Sequence, residues 1–193
     1  MFCPLPGLKW LLASLAAVAA PWACAQVVLH TDAPAAPAPK GGYALAEAQP
    51  LAAEAQDTLR RINAYRAAGA TCGSQRFDAA APLAWHEALE TAAARHAQDM
   101  AQRRVMSHSG ADGSDIGVRV NRVGYAWWGV GENVSAGYGT VPEALAGWMK
   151  SPGHCANMMS PGFTEVGVAG AHASGDSFGW YRAMVLAKGR AAR

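Results

Sequence analysis

The chain has few charged residues, and their signs nearly balance. Lysine and arginine number 16 and aspartate and glutamate number 14 among 193 residues. No more than two basic residues stand together anywhere in the sequence. A nucleic-acid-binding protein carries a dense basic patch, and this chain lacks one. We therefore expect no nucleic-acid partner.

Several common catalytic signatures are also missing. The helix beginning at His86 lacks the second histidine of a zinc-protease motif. The glycines around Gly129 lack the third glycine of a dinucleotide-binding loop, and no serine stands in a Gly-x-Ser-x-Gly turn. These absences argue against the familiar metalloprotease, nucleotide-dependent and serine-hydrolase classes.

Long apolar runs are scarce, and the clearest lies near the N-terminus. Residues 10–20 are shorter than the ~20 apolar residues that a membrane span needs. Ala23-Cys24-Ala25 follows with the small-x-small pattern of a cleavage site. We interpret residues 1–25 as a secretory signal peptide, so that the mature chain begins at Gln26.

The exported chain is expected in the periplasm or outside the cell, with no transmembrane segment. An alternative is a lipoprotein anchored through Cys24. Residues 21–23 do not form the leucine-led run that usually precedes a lipidated cysteine, so we favour secretion.

Two cysteines remain after the signal peptide, Cys72 and Cys155. An even pair in an oxidising compartment predicts a disulfide bond. Closing a loop of this length could stabilise the fold by about 4–5 kcal/mol in the chain-entropy model. The alternative is two buried free thiols, which export makes less favourable.

The mature chain divides into a linker and one domain. Residues 26–50 are rich in proline, alanine and glycine, which is typical of a flexible tether. Residues 51–190 carry the periodic apolar pattern of an α/β domain. Helices are expected from residue 51 to Gly69, for about five turns after Pro82, over 115–123, and after Thr140 and Ser151; strands are expected at 130–136, 165–171 and 177–186.

Several other residues are expected to be structural. His96 stands beside the apolar stripe of the second helix, where a histidine normally packs. Asn63 and Arg66 should make hydrogen bonds between elements. Trp127 and Trp128 stand together in an expected loop, and at least one of them should be buried.

Three Gly/Ser-rich bends each carry one ionisable residue. They are Met106-Ser-His-Ser-Gly110, Gly131-Glu-Asn-Val-Ser-Ala-Gly137 and Ser151-Pro-Gly-His-Cys-Ala-Asn157. Bends at the ends of elements can bring side chains together in a shared cleft. His108, Glu132 and His154 are therefore the candidate cleft residues.

Two imidazoles and one carboxylate allow two kinds of chemistry. They could bind Zn²⁺ with an open position, in which case His108 and His154 would be metal ligands. They could also transfer protons near neutral pH. The structural alternative is that they only hold loops together. Ser109 and Ser135 are candidate nucleophiles, although serine is common in turns.

The order and spacing of these segments resemble the CAP superfamily of cysteine-rich secretory, antigen 5 and pathogenesis-related 1 proteins, in its bacterial SCP-like branch. The matching segments are Ile62-Asn-Ala-Tyr-Arg66, Pro82-Leu-Ala-Trp85, Asp99-Met-Ala101, Ser107-His108, Arg119 with Gly124-Tyr125, Gly131-Glu-Asn133, Trp148-Met-Lys-Ser-Pro-Gly-His154 and Phe163-Thr-Glu-Val-Gly-Val168. The resemblance as a whole runs from about Leu59 to Leu186, nearly all of the expected domain.

The resemblance implies an α-β-α sandwich with a small central antiparallel sheet flanked by helices. It also implies a cleft lined by two histidines and acidic residues, matched here by His108, His154 and Glu132. The eukaryotic pattern has a second glutamate shortly after the tryptophan at Trp148. This sequence lacks that carboxylate, which weakens any mechanism that needs two acids.

Three functions remain open from the sequence. The first is an exported module of the cell envelope or extracellular space that binds a lipid, a glycan or a metal in its cleft without turnover. The second is a metal-assisted hydrolase, directed at peptides or the cell wall, that uses the same cleft. The third is a structural envelope protein with a vestigial cleft. The oligomeric state cannot be predicted.

Overall fold

The computed structural model describes the backbone of residues 23–29 and the whole of residues 52–190. Residues 1–22 of the predicted signal peptide and residues 30–51, most of the predicted linker, lie outside the described residues. The predicted linker begins with a strand, because residues 26–29 pair with the central sheet. Val27, Val28 and Leu29 have the side chains that strands favour, and this explains the difference.

Five helices and seven strands are described. The helices are α1 (Ala53–Ala68), α2 (Glu87–Arg103), α3 (Ile116–Arg122), α4 (Val141–Lys150) and α5 (Pro152–Met159). The strands are β1 (Ala23–Leu29), β2 (Ala70–Cys72), β3 (Gln75–Phe77), β4 (Ala84–Trp85), β5 (Trp127–Ala136), β6 (Glu165–His172) and β7 (Trp180–Gly189). Every predicted helix is present.

The main sheet has the strand order β1-β5-β7-β6-β4, and β2 and β3 form a separate hairpin. All neighbours in the main sheet are antiparallel except β4 and β6. Helices α2 and α3 share an apolar core with one face of the sheet, whereas α1 and α4 share a core with the other face. Helix α5 contributes Met158 to this second core. The predicted α-β-α sandwich is therefore confirmed.

Close contact between α2 and β6 fixes the distance between this helix and the sheet. A Cβ atom added to Gly167 would lie 2.0 Å from the backbone nitrogen of Glu90. Real Cβ atoms do not approach backbone so closely. Glycine at this position therefore lets the helix rest directly on the strand.

The predicted polar anchors form as expected. Thr140 accepts a hydrogen bond from the backbone N–H of Glu143, and the Glu143 carboxylate accepts one from the Thr140 N–H, so the predicted capping box opens α4. Asn63 exchanges two hydrogen bonds with the backbone of Leu83. Arg66 is buried and donates to the carbonyl oxygens of Ala81, Met158 and Ser160.

The predicted disulfide bond is present between Cys72 in β2 and Cys155 in α5, with a Cα–Cα distance of 5.4 Å. It ties the small hairpin to α5 immediately after His154. The hairpin itself was not predicted, because three-residue strands carry too little alternation to be recognised.

The prediction that at least one tryptophan of the pair is buried is confirmed, but the prediction that both stand in a loop is wrong. Trp127 is buried and Trp128 is 50% exposed, but both stand in β5 and not in a loop. The exposed ring of Trp128 lies under the guanidinium of Arg190.

Candidate functional site

A buried carboxylate, that of Glu132, lies at the centre of the site. Its side chain is fully enclosed on β5. One oxygen, Oε1, lies 2.7 Å from His108 Nδ1, and the other, Oε2, lies 2.7 Å from Arg119 Nη2. His96 Nε2 is 3.8 Å from Oε2. The cluster formed by Glu132, His108, Arg119 and His96 is called the Glu132 cluster below.

Arg119 also holds the loop that carries His108. Its Nη1 donates to the carbonyl oxygens of His108, at 2.9 Å, and of Ser114, at 2.6 Å. Helix α3 presents Arg119 because the Asp115 carboxylate caps its start by accepting from the Val118 N–H. One guanidinium therefore fixes both the carboxylate and the loop.

Opposing effects act on the pKa of Glu132. Burial raises it, but the hydrogen bond from His108 and the positive charge of Arg119 lower it by more. The pKa therefore lies below the usual value for glutamate, and the carboxylate is ionised at neutral pH. Because an ionised carboxylate only accepts hydrogen bonds, His108 Nδ1 carries a hydrogen.

His96 contributes a buried acceptor from α2. Its Nε2 lies 2.8 Å from the carbonyl oxygen of Ser107, which can only accept, so Nε2 carries a hydrogen. Burial lowers the pKa of His96 and keeps the ring neutral. The other nitrogen, Nδ1, is then a bare acceptor, and it has no hydrogen-bond partner within residues 23–29 and 52–190.

His154 lies behind the strand that carries Glu132. It is buried on α5, and its carbonyl oxygen accepts a hydrogen bond from Asn133 Nδ2 at 3.1 Å. Side chains of successive strand residues point to opposite faces, so Glu132 and Asn133 face different layers. The structure thus brings His108 and Glu132 together and places His154 in the layer of α5. Asn157 donates to the carbonyl of Glu132 and to Asn133, which links the two layers.

The arrangement of these side chains does not fit the zinc site that two histidines and one carboxylate suggested in the sequence. Both oxygens of Glu132 already accept hydrogen bonds, and His154 lies on α5, on the other side of β5 from His108. Within the described part of the chain, no group of three His, Cys, Asp or Glu side chains could hold a metal ion. Zinc binding through His108 and His154 stays a prediction without geometric support.

A cavity of about 200 Å³ opens beside the Glu132 cluster. Its charged and polar lining includes His96, Asp99, Asp112, Arg95, Arg119 and Arg122. Two buried atoms of these residues lack hydrogen-bond partners among the described residues, namely His96 Nδ1 and Arg119 Nε. One buried acceptor and one buried donor without partners therefore belong to residues that line the cavity.

Sequence reasoning missed His96 and Arg119 as members of the site. His96 is a buried packing histidine, as predicted, but it also approaches the carboxylate. Arg119 was recognised only as part of a matching segment. Its position between Val118 and Val120 was the available signal, because an arginine inside an apolar helix needs an acidic partner.

Comparison with known proteins agrees with this fold. Over residues 59–186 the chain matches the family described as CAP, the cysteine-rich secretory protein family, and it belongs to that family. An extracellular protein containing an SCP domain, from Bacillus anthracis str. Ames, superposes with a TM-score of 0.57 at 24% identity, covering 70% of this chain and 40% of that one. This likeness supports the fold assignment.

Two curated relatives come from Bacillus subtilis (strain 168). The uncharacterized protein YkwD is 31% identical over 87 residues, which are 45% of this chain and 34% of YkwD. The uncharacterized membrane protein YlbC is 27% identical over 88 residues, which are 46% of this chain and 25% of YlbC. The chain thus spans about a third of the length of YkwD and a quarter of the length of YlbC. In this chain, none of the described helices is long and apolar enough to cross a membrane.

Proposed function

We propose that this CAP domain is an exported binding module that holds a small hydroxyl-bearing glycan fragment in the cavity beside Glu132. The observation that carries the proposal is that His96 and Arg119, two residues that line the cavity, each keep one buried polar atom, Nδ1 and Nε, without a hydrogen-bond partner among the described residues. One is a bare acceptor and the other a free N–H donor. A sugar hydroxyl both donates and accepts, so it can satisfy the two atoms.

The charge of the lining favours a polar or acidic sugar over a lipid. Three arginines and two aspartates line the cavity, and His96 is neutral, so the lining carries a small positive excess. Arg122 pairs with Asp112, and Asp99 pairs with Arg103 outside the lining. A lipid tail would take water away from these ion pairs and from Arg95 without offering any of them a new hydrogen bond. Because the lining has a small positive excess, the cavity would also accept a sugar that carries a carboxylate.

The size of the cavity supports a single sugar ring. A volume of about 200 Å³ is smaller than the ~300–1,000 Å³ typical of pockets for drug-sized ligands. The ligand is then one ring of a glycan, with the remainder of the glycan in solvent. Glu132 and His108 act as positioning residues, since they hold Arg119 and its loop in place.

A hydrolase is the second candidate, and one observation favours it. His108 Nδ1 donates to the Glu132 carboxylate, which leaves Nε2 as a proton acceptor. The carboxylate–histidine pair of hydrolytic triads has this arrangement. Ser109, the adjacent residue, is a candidate nucleophile, and a metal-bound water remains the alternative suggested by the sequence. Turnover of a bound glycan or peptide would distinguish this candidate from simple binding.

The proposal is tested by calorimetry of the whole chain with defined sugars. N-acetylglucosamine, N-acetylmuramic acid and glucuronic acid are suitable probes. We expect one of them to bind, and His96→Gln to weaken its binding at least tenfold because the bare acceptor moves. His172→Gln is the matched control, since His172 is an exposed histidine at the end of β6.

Equal affinity of wild type and His96→Gln for every sugar that binds, or no binding of any of the three, would contradict the proposal. An assay for new reducing ends on oligosaccharides of the same sugars addresses the hydrolase. Release that is lost in His108→Ala would establish turnover at this site.

A further inference from the structure

A second, larger cavity lies on the other face of the sheet from the Glu132 cluster. Its volume is about 530 Å³, and none of the residues that line it lines the cavity beside Glu132. Its lining includes the starts of α1 and α4, the middle of β6, and Trp180 and Arg182 of β7. Arg182 stands two residues before Met184, which packs in the core beneath α1 and α4, so both side chains face that layer. This space is called the Arg182 cavity below.

Arg182 carries a buried charge that no carboxylate contacts directly. Only 4% of the residue is exposed. Its Nη1 donates to the carbonyl oxygen of Tyr138 and its Nη2 to that of Gly139, but Nε has no hydrogen-bond partner among the described residues. Burial lowers the pKa of Arg182, and the more distant charges of Glu54 and Glu143 offset this only in part. A buried charge is stable when it is paired, so the arginine lacks a negatively charged partner.

Gly170 leaves space beside this unpaired nitrogen. It lies opposite Arg182 in the β6–β7 ladder and lines the same cavity. A Cβ atom added to Gly170 would lie 3.0 Å from Arg182 Cγ and 3.4 Å from Nε. The Trp180 ring lies 4.7 Å from the guanidinium carbon and supports the arginine. The lining therefore holds a fixed guanidinium with one N–H free and no side chain opposite it.

Negative charge and an aromatic ring stand elsewhere on the same lining. Trp85 Nε1 donates to Glu90 Oε2 at 2.8 Å, and Glu90 makes no ion pair within the described part of the chain. Glu54 is exposed on the lining, whereas Asp57 is already paired with two arginines of α1. A carboxylate beside a tryptophan ring suits an ammonium group, which is attracted both by the charge and by the ring.

We propose that the Arg182 cavity binds a small organic zwitterion that carries an ammonium group and a carboxylate, the class of free amino acids, betaines and dipeptides. The carboxylate accepts a hydrogen bond from Arg182 Nε, and the ammonium group lies beside Trp85 and Glu90. This proposal is independent of the glycan proposal, because the two cavities share no lining residue.

Both charges of the ligand are needed. An anion alone would be repelled by Glu54 and Glu90, and a cation alone would leave Arg182 without a partner. A lipid tail would take water away from these groups without offering them a hydrogen bond. The volume of about 530 Å³ lies within the ~300–1,000 Å³ range of small-molecule sites, so it admits an amino acid or a dipeptide.

Calorimetry of the whole chain tests the proposal. The zwitterionic probes are glycine betaine, alanine and alanyl-alanine. Choline and acetate are the comparison ligands, since each carries only one of the two charges. We expect at least one zwitterion to bind at least tenfold more tightly than choline and acetate. No binding of any zwitterion, or binding of choline or acetate that is equally tight, would overturn the proposal.

Two variants separate the two ends of the ligand. Arg182→Gln should abolish the preference for the zwitterion over choline, and Glu90→Gln should abolish the preference over acetate. Glu87→Gln is the matched control, because Glu87 is an exposed glutamate of α2 outside the lining, and it should bind as wild type does. Zwitterion binding that is the same in all three variants would place the ligand elsewhere and contradict the proposal.

A further variant leaves the arginine in place. It is needed because Arg182 also holds the carbonyl oxygens of Tyr138 and Gly139, so replacing it can disturb the fold. Gly170→Ala adds a methyl group in the space beside Nε. We expect zwitterion binding at least tenfold weaker than that of wild type, with a thermal unfolding temperature close to that of wild type. Unchanged affinity in this variant would show that no ligand group approaches Nε, which would also overturn the proposal.

Discussion

Arg119 Nη2 donates a 2.7 Å hydrogen bond to Glu132 Oε2, and both side chains are buried. The two opposite charges compensate each other in a buried environment. Breaking such a pair by removing one partner costs more than the pair itself contributes, because the remaining charge stays buried. The Glu132 cluster therefore depends on Arg119 for stability as well as for shape.

We expect Arg119→Met to lower the free energy of unfolding by about 3–5 kcal/mol, the usual cost of an unpaired buried charge. Urea denaturation at pH 7 measures this change. Arg122→Met is the matched control on the same helix. Arg122 pairs with Asp112 in solvent, so its loss should cost about 0–1 kcal/mol. Equal losses for the two variants would show that the Glu132 carboxylate does not need its buried partner.

As the pH falls from neutral, the first change in stability should come from the protonation of His96. Burial lowers the pKa of His96 in the folded state, so the unfolded chain takes up a proton near pH 6.5 that the folded chain does not. The stabilising contribution of neutral His96 is complete above that pH and is lost as the pH falls toward the folded pKa. We expect wild type to lose more stability between pH 7.5 and 5.5 than His96→Gln, as measured by urea denaturation. Parallel losses would contradict the lowered pKa.

Glu132 should affect the stability of the fold over a second, more acidic pH range. Its folded pKa is lowered from 4.5, so its contribution is complete above about pH 4.5 and disappears as the pH falls through the folded value. We expect Glu132→Gln to be less stable than wild type at pH 7 and to show a flatter decline below pH 4.5. Thermal unfolding across this range is the measurement. A decline of the same slope in both proteins would rule out a lowered pKa.

The disulfide bond should contribute strongly to stability. It joins cysteines 83 residues apart, for which the chain-entropy model gives about 4–5 kcal/mol. We expect Cys72→Ala with Cys155→Ala to be less stable by about that amount. Wild type in a reducing agent should match the double variant, and the agent should not affect the variant. A thiol assay on the unfolded, unreduced protein comprising residues 26–193 should find no free thiol from this pair.

Zinc titration tests the prediction that His108 and His154 bind Zn²⁺. Because the Glu132 oxygens are occupied, we expect wild type and His108→Ala with His154→Ala to give the same calorimetric response to Zn²⁺. Zinc binding that is strong in wild type and lost in the double variant would restore the metal site and require the cluster to rearrange.

Local sequence signals predicted most of the fold. Gly69 ends α1 and Thr140 begins α4 because caps act within one turn of the chain. The pairing of Cys72 with Cys155 followed from parity and export. β1 was not predicted, since its pairing with β5 is a tertiary contact that an apparent cleavage site and linker conceal.

The site was predicted in part. His108 and Glu132 stand in polar bends that the sequence marks clearly. His96 and Arg119 stand on helices, and only the packing of α2 and α3 on the sheet brings them to the carboxylate. The position of His154 could not be predicted, because the sequence does not show which layer α5 joins.

Gly167 contributes to the same cluster from a distance. By allowing α2 to lie against β6 at Leu89 and Glu90, it lets the helix that carries His96 come close to the sheet that carries Glu132. A methyl group there would lift one end of the helix and change the spacing between imidazole and carboxylate. Gly167 thus affects the electrostatic interactions of the Glu132 cluster although it contacts none of its members.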